Sequence, residues 1–432
     1  MKRLLPSFRV EKHDLRTAAS RIRNRSLGRS ENETLTRRII GDVQRRGDRA
    51  VVEYTRKFDG ALLRPSQLRI PTREIAKSLE RVDPGVLSAL RLALRNLEAL
   101  QRQILAGVRY SSRVNGFAAR LTPKPLPSVG CYIPGGRAAY PSTVLMTAGL
   151  ARLAGVPRIV LCTPPNSAGK VDDAVLAAAG LCGVNEAYRC GGAQAIAALA
   201  YGTKTIRKVE KIVGPGGVYV ALAKRLVSRD VAVDFFAGPT ELVVVADQTT
   251  EPKLAAWDLI AQAEHGSDSF IGLITCSQNV ADAIRSQVVQ ILRGVERRKY
   301  VETSMERGFA AVCSDWQTAC NFANEIAPEH LQLLTENAHE LSEKIHSAGL
   351  ILNGPYAPTA ASDYCLGTDH VLPTGGFARS NGGLTVLDFV KPTWTVEGSR
   401  KGLRNLLHPL KVLASTEGLP NHYYSVESRF KA

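Results

Sequence analysis

Short apolar segments alternate with amphipathic ones between residues 156 and 354, and this alternation constrains the fold more than any other feature. RIVLC has the composition of a buried strand, and DAVLAAAGLCG, which follows it, has that of a helix. The alternation continues through EAYRC, VEKIV and VAVDFFA, and a second series runs from ELVVVAD to LILNG. Strands joined by helices form parallel sheets with helices on their faces. The sequence therefore predicts an α/β fold with two Rossmann-like parallel-sheet units of about 100 residues each.

The 432 residues are too many for one ordinary hydrophobic core, which agrees with two units. The first 130 residues look mainly helical and are expected to brace one unit. The residues after 375 form short segments that are too small to hold a core alone, so we expect them to dock elsewhere. No apolar run approaches the roughly 18 to 20 residues of a membrane span, and MKRLLPSFRV lacks the apolar stretch of a signal peptide. A soluble, cytoplasmic protein is expected.

The eight cysteines are scattered without close-spaced pairs, and several lie inside apolar segments. This pattern is typical of reduced, buried thiols and fits neither a disulfide framework nor a zinc finger. Cys162 suggests a thiohemiacetal mechanism, but its position at the end of a predicted strand favours a packing role.

The formal net charge of +16 raises the possibility of nucleic-acid binding. Residues 1–60 carry 16 Lys and Arg against 8 Asp and Glu, in a segment with few aromatic residues for base stacking. No motif of a nucleic-acid-binding module is present. Nucleic-acid binding is therefore the weaker hypothesis.

Glycine-rich turns recur where predicted strands give way to helices, at residues 134–136, 191–192 and 214–217. Backbone amides at such turns, beside helix N-termini, suit the phosphates of a nucleotide. None of the turns completes the G-x-G-x-x-G fingerprint, and each alone is compatible with a simple turn.

Two short polar runs contain residues suited to metal binding or to proton transfer. Gln262 and His265 close a predicted helix, and their i, i+3 spacing places both on one face, where they could bind a metal with further ligands. The candidates for those ligands are Asp363, His370 and His422. The alternative for each histidine is a plain structural role.

Glu329 and His330 follow Pro328, which should end the preceding helix and place both residues in a turn before a strand. Ligands of open α/β folds meet such turns, and two adjacent groups of different basicity could divide proton transfers between them. The alternative is a helix-terminal Glu beside an exposed His.

Taken together, these runs resemble the histidinol dehydrogenase family over about residues 30 to 425. The matching segments occur in the order typical of the family: GCYIPGGRAAYPSTVLM, GGAQAIAALAYGT, VGPGG, AGPTELVVVAD, DLIAQAEHGSDS, IAPEHL and GTDHVLPTGGFA. The resemblance implies oxidation of L-histidinol to L-histidine with two NAD⁺, through histidinaldehyde, in histidine biosynthesis.

The resemblance also implies one zinc ion per subunit, which would anchor the imidazole and amino nitrogens of the substrate. Its ligands would be Gln262, His265, Asp363 and His422. Residues matching the rest of the substrate pocket are Thr240, His370 and Glu417, with His330 as the base.

By the same resemblance, the nicotinamide coenzyme would lie against Tyr132 and Gln194, with Gly217 close by. Oxidation of an alcohol to an acid needs two hydride transfers, a base and a water. His330 matches the base of the family, and Glu329 matches the group that activates water for the second oxidation.

Four positions depart from the pattern of the family. Gly217 stands where Asn is usual, which removes a side-chain amide from the coenzyme side, and Thr240 replaces the usual Ser. Ser362 stands where Gly is common, and Asp369 where Asn is common. The four expected metal ligands and the Glu-His pair are all retained.

The resemblance implies a homodimer in which the tail of each chain crosses to the other active site. The expected division is an extension (1–30), a discontinuous metal and catalytic domain (31–131 with 241–384), a coenzyme domain (132–240) and a tail domain (385–432). An alternative function is oxidation of another polar alcohol, such as a sulfonated propanediol. Glu417 is suited to a cationic amine and argues against that anionic substrate.

Overall fold

The computed structural model describes residues 4–24, 30–136, 138–235 and 238–431. The last two residues of the predicted VAVDFFA strand, and residues 1–3 and 25–29 of the predicted extension, lie outside this part. The strands are β1 (Ser7–Val10), β2 (Arg69–Ile70), β3 (Tyr110–Val114), β4 (Phe117–Pro125), β5 (Val129–Tyr132), β6 (Ile159–Thr163), β7 (Glu186–Arg189), β8 (Lys211–Val213), β9 (Ala232–Val233), β10 (Glu241–Ala246), β11 (Phe270–Thr275), β12 (Phe309–Cys313), β13 (His330–Leu334), β14 (Leu350–Asn353) and β15 (Val390–Gly398).

Helices connect most of these strands. A π-helical turn, Leu145–Gly149, joins α6 to α7 in one continuous rod. The α-helices are α1 (Leu15–Asn24), α2 (Ser30–Arg46), α3 (Asp48–Asp59), α4 (Thr72–Arg81), α5 (Pro84–Gly107), α6 (Pro141–Val144), α7 (Leu150–Leu153), α8 (Asp173–Leu181), α9 (Gly192–Tyr201), α10 (Val218–Val227), α11 (Pro252–Ala263), α12 (Gln278–Ile291), α13 (Arg298–Arg307), α14 (Trp316–Ile326), α15 (Ala338–Glu343), α16 (Thr359–Tyr364), α17 (Arg400–Asn405), α18 (Leu407–Thr416) and α19 (Pro420–Lys431).

The first sheet has six strands, all parallel, in the order β1-β12-β11-β10-β13-β14. The order reverses at β10, which has β11 on one side and β13 on the other. Helices α1, α14 and α15 pack on one face, and α11, α12 and α13 on the other. Both faces are apolar, which explains why the strands read as continuous hydrophobic runs.

The second sheet repeats this plan in the order β2-β7-β6-β5-β8-β9. Its strands are parallel except for β2, which pairs antiparallel with β7 at one edge. Helices α4, α5 and α8 cover one face, and α2, α3, α9 and α10 cover the other. The two Rossmann-like units predicted from the alternation are therefore present.

The predicted grouping of the N-terminal third differs from the packing that we observe. Helices α2 to α5 pack against the second sheet, and β5 is a central strand of that sheet. Residues 31–131 thus belong with 132–240 rather than with 241–384. Likewise, the first described residues do not form a separate extension, because β1 is the edge strand of the first sheet and α1 packs on α14. Neither contact has a local sequence signal.

A third sheet links the tail to the rest of the chain. Strand β15 pairs antiparallel with β4, which also pairs with β3. The helices that follow pack chiefly on one another, with α18 against α19. The tail therefore docks through a strand, as its small size required.

Two further observations bear on the sequence predictions. No helix in the described part of the chain is long and apolar enough to cross a membrane. Cys162 is fully buried on β6, and its contact with Cys190 together with burial raises the pKa of its thiol. A buried, protonated thiol agrees with the predicted packing role.

Candidate active site

A cavity of about 220 Å³ lies between the two sheets and collects most of the predicted site residues. From the second sheet, the turn after β8 (Pro215–Gly217) lines it. From the first sheet come Thr240, just before β10, and the Glu329–His330 pair, at the start of β13. Open α/β folds usually bind ligands at the carboxyl ends of their strands. The second sheet follows that rule here. The first sheet instead faces the cavity with the amino ends of its strands, which we call its amino edge.

Glu329 is held by a chain of directional hydrogen bonds. Its Oε2 accepts from the Thr240 hydroxyl at 2.7 Å and from the backbone N–H of Glu241 at 2.6 Å. Because the Thr240 hydroxyl donates its proton to Glu329, its oxygen accepts from the Nε2 of Gln262. This series of hydrogen bonds fixes the orientation of the Gln262 amide. The carbonyl oxygen of the amide is left as the atom that could bind a ligand.

His330 is only 2% exposed, so the alternative of an exposed histidine is wrong. Its Nδ1 lies 3.0 Å from the carbonyl oxygen of Glu241 and must carry a proton, since a carbonyl only accepts. Its Nε2 is buried without a hydrogen-bond partner in the described structure and lies 3.7 Å from Asp363 Oδ1. Burial lowers the pKa of His330, but the charges of Glu329 and Asp363 outweigh burial and raise the pKa to about 9.

His370 lines the same cavity. Its Nδ1 donates to the carbonyl oxygen of Asp363 at 2.8 Å, so its Nε2 is left to accept from the Thr143 hydroxyl at 3.0 Å. Burial lowers the pKa of His370, which favours this uncharged tautomer.

Three of the four predicted zinc ligands belong to this site. His265 and Asp363 line the cavity, and Gln262 reaches it through Thr240. Helix α11 ends at Ala263, so Gln262 lies in its last turn and His265 in the loop that follows. An amide oxygen, an imidazole and a carboxylate suit zinc, which usually has four ligands, the fourth being a further side chain, a water or a substrate. In the described residues, no group of three or more His, Cys, Asp or Glu side chains could hold a metal.

The fourth predicted ligand lies elsewhere in the chain. His422 on α19 and Glu417 after α18 are both exposed, and neither lines the cavity. Instead they border an apolar groove formed by the tail itself, with Leu410, Leu413 and Leu419 among its other residues. Within one chain, the structure therefore does not bring Glu417 and His422 to the other site residues.

The predicted coenzyme residues lie along the carboxyl edge of the second sheet. Tyr132 ends β5, and its hydroxyl accepts from the backbone N–H of Gly192 at 3.1 Å. Gln194, in the first turn of α9, is 1% exposed, and neither polar atom of its amide has a hydrogen-bond partner among the described residues. Buried amides normally are hydrogen-bonded, so this unpaired group fits a polar ligand. Pro134 joins the first cavity to a second of about 470 Å³ along the same edge.

The four departures from the family pattern have different surroundings. Gly217 is exposed, and a Cβ there would have no heavy atom within 4 Å, so the missing side chain leaves open space. Thr240 retains the hydroxyl that the Gln262–Glu329 chain uses. Ser362 is buried and donates to the carbonyl oxygen of Thr359. Asp369 is buried, and burial raises the pKa of its carboxyl well above its usual value.

Sequence reasoning did not identify three residues that position the predicted ones. Glu241 contacts His330, Thr143 contacts His370, and Arg23 forms an ion pair with Glu241. The one local signal was Glu241, a charged residue at the start of the apolar run ELVVVAD. A buried carboxylate needs a partner, but a sequence does not say which one.

The comparisons with known proteins identify the family of the chain. The family model described as histidinol dehydrogenase matches residues 23–430. The histidinol dehydrogenase of Methanothermobacter thermautotrophicus is 44% identical over 395 residues, covering 91% of this chain and 92% of its own. The histidinol dehydrogenase of a Synechococcus strain is 42% identical over 400 residues, covering 92% of each chain.

The structural comparison covers the whole fold. The crystal structure of histidinol dehydrogenase from Elizabethkingia anophelis superposes with a TM-score of 0.92 at 33% sequence identity. The match covers 99% of this chain and 98% of that one. The chain therefore belongs to the histidinol dehydrogenase family.

Proposed function

We propose that the protein catalyses the four-electron oxidation of L-histidinol to L-histidine in histidine biosynthesis, using two NAD⁺ and one zinc ion per subunit. The observation that carries this proposal is the buried Nε2 of His330, which has no hydrogen-bond partner among the described residues. It faces a cavity shared by a cluster suited to a cation and a glycine-rich edge suited to a dinucleotide.

The proton transfers are assigned to Glu329 and His330. The carbonyl of Glu241 fixes the tautomer of His330, so that Nε2 can take the proton of the substrate hydroxyl in the first oxidation. Glu329, oriented by Thr240, would take a proton from the water that adds to the aldehyde. The second oxidation then removes hydride from the hydrated aldehyde. NAD⁺, when bound, accepts the hydride in each oxidation.

The zinc ion, when bound, would anchor the imidazole and amino nitrogens of the substrate. Gln262, His265 and Asp363 would hold it together with His422 of the partner subunit. A cation on Asp363 would also reduce the negative charge that raises the pKa of His330, and so would favour the neutral base.

The tail supports the proposal of a homodimer. Glu417 and His422 border an apolar groove and lie outside the cavity of their own chain, whereas the other three predicted zinc ligands lie at that cavity. In a symmetric dimer, a tail that crosses to the cavity of the other subunit would complete both sites. Glu417 of the partner subunit would then pair with the cationic amine of the substrate.

The experiment that tests the proposal is a histidinol assay before chelation, after chelation and after zinc restoration. We expect NADH formation at two equivalents per histidinol, its loss on chelation and its return with zinc. A sulfonated propanediol should give little NADH. A preference for the diol would contradict the assignment of the substrate, and full activity after verified removal of zinc would contradict the metal assignment.

A further inference from the structure

Glu241 contacts both members of the Glu329–His330 pair. Its backbone N–H donates to Glu329 Oε2, and its side-chain Oε2 accepts from the backbone N–H of Glu329 at 3.1 Å. Its carbonyl oxygen accepts from His330 Nδ1. One residue thus fixes the backbone and side chain of Glu329 and the tautomer of His330.

This arrangement places two carboxyl groups in the interior, each bonded to the backbone N–H of the other residue. Glu241 is 3% exposed and Glu329 is 5% exposed. A buried carboxylate without a compensating cation is strongly unfavourable, and a second carboxylate beside it adds repulsion. A positive charge beside the pair would offset both penalties.

Arg23, from α1, supplies that charge. Its Nη1 forms an ion pair with Glu241 Oε1, and the two side chains are only 14% and 4% exposed. The guanidinium also lies over the ring of Phe270, with Cζ at 4.5 Å from the ring centroid. Burial of both partners strengthens their Coulomb attraction relative to an exposed ion pair, and loss of either partner would leave an uncompensated buried charge.

The same guanidinium holds the end of the helix before the Glu-His turn. Nε donates to the carbonyl oxygen of Ile326 and Nη2 to that of Ala327, both at 2.9 Å. Helix C-termini leave such carbonyls without partners. Ala327 has a φ of 50°, a left-handed conformation that costs a non-glycine residue about 1 kcal/mol or more. The contacts with Arg23 stabilise this bend two residues before Glu329.

We propose that Arg23 and Glu241 are positioning residues for the reaction: the ion pair holds the Glu329–His330 turn in its reactive geometry and compensates the buried carboxylates. The inference rests on the proposed roles of Glu329 and His330. It also gives the N-terminal segment a part in catalysis, although no residue of that segment lines the cavity in the described structure.

The first test compares Arg23→Ala with Arg21→Ala, an exposed arginine on the same helix. Small displacements of catalytic groups can lower rates by about 100-fold. We expect kcat of Arg23→Ala to fall by about that factor, while the KM for histidinol and the zinc content stay near wild type. Added guanidinium ion at millimolar concentration should restore part of kcat. Arg23→Lys should lie between, because it keeps the charge but loses the fork geometry. Arg21→Ala should behave as wild type.

A second variant separates positioning from folding. The double variant Arg23→Met, Glu241→Gln removes both members of the ion pair, so neither is left as a buried charge without its partner, and the variant should fold and bind zinc. It should nevertheless show reduced kcat that guanidinium ion does not restore. Wild-type kcat in Arg23→Ala or in the double variant would overturn the proposal. A loss of kcat in Arg23→Ala that follows the zinc content and is not rescued by guanidinium ion would also overturn it. Wild-type activity in both Glu329→Gln and His330→Asn would instead overturn the roles on which it rests.

Discussion

The two sheets have nearly the same topology but present opposite edges to the cavity. The second sheet presents its carboxyl edge, where α9 and α10 begin after glycine turns at residues 191–192 and 214–217. The first sheet presents its amino edge, where α11 and α14 end beside Gln262 and Ile326. Helix N-termini carry partial positive charge and helix C-termini partial negative charge.

This difference explains why the two kinds of ligand are expected on different sides. Amides and positive helix ends suit the phosphates of a coenzyme, and the glycine turns leave room for its approach. Carbonyls, carboxylates and negative helix ends suit a metal ion and a cationic amine. A repeated fold can thus form one site with two electrically different walls, if its units face each other with opposite edges.

The largest expected effect concerns the proposed cation-binding wall, which is the side of the cavity that Gln262, His265 and Asp363 form. His265→Asn should remove most of the zinc and lower histidinol oxidation by about 1000-fold or more, because loss of one ligand leaves an incomplete metal site. Metal analysis and an NADH assay would check this. Full zinc occupancy in the variant would show that the metal site has been misassigned.

A second prediction divides the chemistry within that wall. Glu329→Gln should slow the oxidation of supplied histidinaldehyde by about 100-fold or more, since general-base catalysis is typically worth that factor. The first hydride transfer should lose less, because His330 keeps its own contact with the Glu241 carbonyl. Single-turnover measurements of the two half-reactions would decide. Equal losses in both would argue against the division.

A third prediction asks whether one chain can supply the whole cation-binding wall. Asp363→Ala chains and His422→Ala chains should each be inactive alone, yet regain about a quarter of wild-type activity when mixed after reversible unfolding. Random pairing makes about half the dimers mixed, and each mixed dimer has one intact site of two. If the mixture stays inactive while wild-type protein recovers, His422 acts within its own subunit.

The smallest expected effect lies on the coenzyme wall. Gly217→Asn should lower the KM for NAD⁺ by about two- to tenfold, the range of one added hydrogen bond, and leave kcat nearly unchanged. The φ of −65° and the open space allow the side chain. Gly214→Ala is the matched control, because its Cβ would clash with the Tyr132 carbonyl oxygen and should destabilise the turn. An unchanged KM in Gly217→Asn would mean that position 217 does not contact the coenzyme.

Local patterns in the sequence predicted most of the parallel strands, because each strand is a short apolar run bounded by turn residues. RIVLC and ELVVVAD appear as β6 and β10 within one residue of their expected bounds. The pairing of β15 with β4 was not predicted, since it joins segments more than 260 residues apart and their exposed faces carry no clear alternation. The membership of β1 in the first sheet escaped prediction for the same reason.

The sequence by itself determined the α/β class, the family resemblance and the residues expected to act, since these depend on local periodicity and on ordered motifs. Tertiary structure alone decided that the sheets face each other with opposite edges, and that Arg23 meets Glu241 across 218 positions of sequence. It also separated Glu417 and His422 from the cavity of their own chain. Such relations depend on how distant surfaces pack, and packing is a property of the whole folded chain rather than of any segment.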